Sequence, residues 1–80
     1  MSINSASEVR QEFDDFGVSI SEWSRINGFS APLVYEVLRG RPAVRGQSHE
    51  IAVALGMKKG RRGGIQSLQE SLERLLENHL

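Results

Sequence analysis

At 80 residues the chain makes one small domain, and its 39% apolar and 25% charged content is that of a globular protein without the run of about 18 apolar residues that a membrane span needs. A core of this size leaves no room for a large catalytic cleft. Ten bases balance ten acids, and the absence of cysteine excludes disulfides and thiolate metal sites.

The first predicted helix starts near Ser5 or Ser7, because Ser5-x-x-Glu8 fits a capping box and Val9, Phe13 and Phe16 then recur at i, i+4 and i+7. Gly17 ends it. A second box, Ser19-x-x-Glu22, opens a short helix with Ile20, Trp23 and Ile26 on one face, and Gly28 supplies a residue able to take positive φ at its end. Ser30 follows as the cap of a third helix, with Pro32 in the first turn, where a missing N–H costs nothing. That helix runs to Arg39 with Val34, Val37 and Leu38 inward, and Gly40 closes it.

After the loop "RPAVR", residues Gln47 to Leu55 read as a fourth helix that buries Ile51 and Leu55 and stops at Gly56. Residues 58–64, "KKGRRGG", hold three glycines and no apolar side chain, the composition of a hinge. In the last segment Ile65, Leu68, Leu72 and Leu75 are spaced 3, 4 and 3, a heptad phase of about two repeats, with Glu70 and Arg74 as an outward pair. No segment has strand periodicity. The expected class is all-α: a compact helix-turn-helix domain of four short helices over residues 1–57, a basic Gly-rich hinge at 58–64, and a C-terminal amphipathic helix at 65–80.

The zero net charge conceals a pattern. Residues 1–30 carry Arg10 and Arg25 against Glu8, Glu12, Asp14, Asp15 and Glu22, whereas residues 31–62 carry seven bases against Glu36 and Glu50. The tail is acidic again. A basic centre between acidic ends concentrates positive potential on one part of the surface. In that centre, two short helices joined by a tight Gly turn, the second opened by a serine cap, have the form of a helix-turn-helix unit. Counting from Ile20, small Ser24 falls at the fifth position, Gly28 at the ninth and Val34 at the fifteenth, where the motif needs a close helix contact, a left-handed turn and a buried aliphatic residue. Asn27 at the normally apolar eighth position and Ser24 in place of the commoner Ala are departures.

Residues 17–60, most specifically Trp23, Gly28-Phe29-Ser30, Val34-Tyr35 and the run from Val44 to His49, resemble the small helix-turn-helix proteins of BcepMu-type, Mu-like transposable phages and prophages. More distantly they resemble phage repressor and Ner-like domains. The resemblance implies a phage-derived regulator of transcription or of lytic growth in a bacterial host. It implies no operator sequence, and the C-terminal heptads lie outside it.

Sequence-specific binding of duplex DNA is therefore the expected function, with the third helix in the major groove. Ala31, Pro32, Tyr35, Glu36 and Arg39 are the candidates to face bases. Ser30, Arg41, Arg45, Gln47, Ser48, Lys58 and Lys59 are the candidates to grip phosphates, Ser30 partly through the free N–H groups of its helix start. A homodimer is expected through Ile65, Leu68, Leu72, Leu75 and Leu76, the competing arrangement being a stripe folded back onto its own domain. Phe13, Phe16, Trp23 and Phe29 fit a core, His49 a surface hydrogen-bonding residue, and His79 the edge of an interface. With no phosphate-binding Gly loop, no nucleophile elbow and no ligand cluster at metal spacing, no enzyme activity, cofactor, metal or small-molecule substrate is expected. The start "MSINSASEVR" has no apolar run after a basic residue, so the expected location is the host cytoplasm. The alternative function is a protein-interaction module, an antirepressor or adaptor, on the same scaffold.

Overall fold

A computed structural model describes residues 4–58 and 65–78, with side chains from 68 to 77 in the second stretch. The described chain is all helical: α1 (Ala6–Phe16), α2 (Ile20–Ile26), α3 (Ala31–Leu38), α4 (Gly46–Ala54) and α5 (Ile65–Asn78). The serines set where helices begin. Ser5 and Glu8 form a reciprocal capping box at α1, and the Ser19 hydroxyl accepts the Glu22 N–H at α2.

The ends of α1 to α4 share one device. After α2, the Phe29 N–H donates to the Ser24 carbonyl at 2.8 Å and the Gly28 N–H to the Arg25 carbonyl at 3.2 Å, the paired bonds of a Schellman motif, with Gly28 at φ 76°. The same pair of bonds closes α1 at Gly17 and Val18, α3 at Gly40 and Arg41, and α4 at Gly56 and Met57. Each stop satisfies carbonyls that a short helix otherwise leaves open.

One core joins all five helices. Val9 and Phe13 of α1, Trp23 of α2, Val34, Val37 and Leu38 of α3, and Ile51, Ala52 and Leu55 of α4 pack with Leu68, Leu72 and Leu75 of α5. Trp23 is its centre: it meets Phe13 edge to face at 5.7 Å and Phe29 tilted at 5.6 Å, and its indole N–H donates to the Ser71 hydroxyl at 2.9 Å. Phe16 and Phe29 pack against the core while partly buried. Ser24 is fully buried, its hydroxyl donating to the Ile20 carbonyl at 2.7 Å, and so satisfies the close contact required at the fifth position of the motif.

The leucines of α5 face their own domain. Leu68 and Leu72 are completely buried and Leu75 nearly so, while Leu76 keeps 38% exposure. The stripe expected to form a dimer seam is thus occupied within the chain, the folded-back arrangement, because α1 and α2 would otherwise leave Val9, Phe13 and Trp23 uncovered. Gln69 also reaches α1, donating to Glu12. The side chain of Ile65, Lys59 with the rest of the hinge at 59–64, and His79 lie outside the described residues.

Two placements differ from expectation. Ile26 is 50% exposed rather than inward, since at 100° per residue it lies about 60° past Trp23 on the side away from Ser24. His49 is partly buried, and its Nδ1 is sealed with no hydrogen-bond partner among the described residues, so it is not a surface polar residue. Asn4 is buried, its backbone N–H donating to the Gly56 carbonyl at 2.8 Å and its side-chain amide to that of Leu55.

Candidate nucleic-acid interface

Because Val34, Val37 and Leu38 turn α3 into the core, the opposite side of that helix is its open face. Pro32, Glu36 and Arg39 are exposed there, and Ala31 and Tyr35 are partly so. Arg39 caps the end of the helix with no ion pair among the described residues. Two members of the face already have partners. The Tyr35 hydroxyl lies 3.2 Å from that of Ser21, tying α3 to the start of α2. The Glu36 carboxylate accepts from the Arg41 guanidinium at 2.7 Å, and the Arg41 N–H also donates to the Glu36 carbonyl, so this arginine is folded back over the end of α3.

The phosphate candidates separate into two groups. Around the α3–α4 loop, Arg41 is held by Glu36 and Lys58 donates to the Ala43 carbonyl at 2.6 Å. Both border an open depression of about 390 Å³ with Val37, Pro42, Val44 and Met57, which lies off the α3 face. At the start of α4, Arg45 is the N-cap residue, exposed and making no side-chain capping bond, followed by exposed Gln47 and by Ser48, whose hydroxyl donates to the Arg45 carbonyl at 3.1 Å.

The start of α3 is not the open cradle of N–H groups expected at Ser30. Its own N–H donates to the Gln47 side-chain oxygen at 2.9 Å, and its hydroxyl accepts the Leu33 N–H. Pro32 has none to offer, so in the first turn only the Ala31 N–H is left without one of these partners. The first turn of α4, by contrast, has no side-chain cap. Sequence reasoning missed the Ser30–Gln47 bond, which joins residues 17 apart and has no local signal.

The chain matches no protein-family model, no curated protein and no solved structure. Among the described residues no helix is long and apolar enough to cross a membrane, and no group of three or more His, Asp or Glu is placed to hold a metal ion.

Proposed function

We propose that the chain binds duplex DNA through α2, the Gly28 turn and α3, as a sequence-specific transcriptional regulator of phage or prophage ancestry acting in a bacterial cell. One observation carries the reading: α3 is buried along Val34, Val37 and Leu38, while Pro32, Glu36 and Arg39 stay exposed, with exposed arginines at 41 and 45 next along the chain. In this reading α3 enters the major groove, Arg39 and partly exposed Tyr35 meet base edges, and Arg45 with the first turn of α4 grips the backbone. Pairing of two copies, if it uses α5, falls to the outer side around Leu76. Selection from a random duplex pool, followed by affinity measurements over a salt series, tests the function: it requires an enriched motif and a clearly negative slope of log affinity against log salt.

The Glu36–Arg41 pair favours a second reading, because it cancels two charges beside the face and suits a protein partner more than a polyanion. A pool that yields no motif, with salt-insensitive capture of a protein instead, selects that reading.

A further inference from the structure

A backbone N–H can only donate, so the Gln47 atom 2.9 Å from the Ser30 nitrogen is necessarily the amide oxygen. The orientation of this side-chain amide, ambiguous for most glutamines, is thereby fixed. Its NH2 group keeps two donors with no partner among the described residues, on a residue that is exposed. Such a group addresses acceptors alone. The residue two before it is Arg45, exposed and with no ion pair among the described residues, so the acceptor this neighbourhood attracts is an anionic oxygen.

We propose that Gln47 is a strut between α4 and the cap of α3, and that with its oxygen engaged inside the protein it presents its NH2 to a phosphate oxygen of duplex DNA. This rests on the DNA-binding reading above. A phosphate held by Gln47 is then connected, through one side chain and one hydrogen bond, to the first turn of α3, the end of a recognition helix that comes closest to base edges. Gln47 is accordingly a positioning residue: it sets how α3 sits in the groove relative to the backbone contact beside it.

Two variants separate the roles. Gln47→Glu keeps an oxygen for the Ser30 N–H but replaces the outward donor with an anionic acceptor, whereas Gln47→Ala removes both. Amide hydrogen exchange at Ser30, measured on the free protein, reads the strut; binding to the selected duplex and to a single mismatch reads the donor and its effect on α3. Ser30 is expected to stay protected in the parent and in Gln47→Glu and to exchange at least about fivefold faster in Gln47→Ala. Affinity should fall about fivefold in Gln47→Ala, with a smaller ratio between selected and mismatched sites, and further in Gln47→Glu. Equal Ser30 exchange in the parent and Gln47→Ala overturns the strut, and Gln47→Glu binding as tightly as the parent overturns the outward donor. A parent chain that binds no duplex overturns the DNA reading and the donor with it, while Ser30 exchange still decides the strut.

Discussion

Replacing Leu72 with alanine removes three carbons from a side chain that is completely enclosed within its own domain. The lost transfer free energy is roughly 2–3 kcal/mol, and the cavity left between α5 and the rest of the core brings the total to about 3–5 kcal/mol, with no helix-propensity loss because alanine is the best helix former. An 80-residue domain has a stability of about 4–12 kcal/mol, so this one truncation removes a large part of it. At about 4–8 °C per kcal/mol the melting temperature falls by more than 10 °C. Urea unfolding followed by circular dichroism, repeated at several protein concentrations, measures the effect, with Leu76→Ala as the partly exposed control expected to cost much less. A Leu72→Ala protein with the parent's urea midpoint but a lower oligomeric state in sedimentation would refute the intrachain packing of α5 and restore the heptad stripe to a partner.

Ser71→Ala takes the acceptor from the buried Trp23 indole N–H and should cost about 1–3 kcal/mol, read as a lower urea midpoint; an unchanged midpoint shows that the bond contributes nothing. The backbone N–H and the hydroxyl of Ser5 hold the Glu8 carboxyl below its ordinary range, so the stability it adds is fully present above the unfolded value of about 4.3 and is lost as pH falls through the lowered one. Glu8→Gln should abolish that acid-dependent fraying of α1, followed by amide exchange at its first turn. Arg45→Ala should weaken selected and random duplexes alike and flatten the salt slope by about one unit, and a variant matching the parent in both removes Arg45 from the backbone contacts. Glu36→Gln should release Arg41 and raise affinity for random duplex with a steeper slope; unchanged affinity means that Arg41 does not reach DNA.

Much of the fold was legible because its signals are local. Serine caps, Gly stops and the inward Val34, Val37 and Leu38 all operate within a turn or two of chain, and helix positions follow from them. The fate of α5 was not legible: a 3, 4, 3 spacing of leucines suits a partner helix and an intrachain groove equally, and only the uncovered Val9, Phe13 and Trp23 decide between them. At the candidate interface the exposed residues of α3 follow from its period. The engagement of Glu36 by Arg41, of Tyr35 by Ser21 and of Ser30 by Gln47 depends on how helices pack, which no short window encodes.

Asn4, bonded to the end of α4, changes the entropy of assembling the helices. Its bonds to the end of α4 close a ring spanning 51 residues and bring the start of α1 to the point from which the chain departs toward α5. Without that closure, joining Gln69 to Glu12 means restricting a loop of 57 residues. With it, the intervening path shortens to the residues between Gly56 and Ile65, and the logarithmic cost of loop closure falls by about 1.6 kcal/mol. One buried asparagine near the amino end thereby makes docking of the last helix less costly once the first four are assembled.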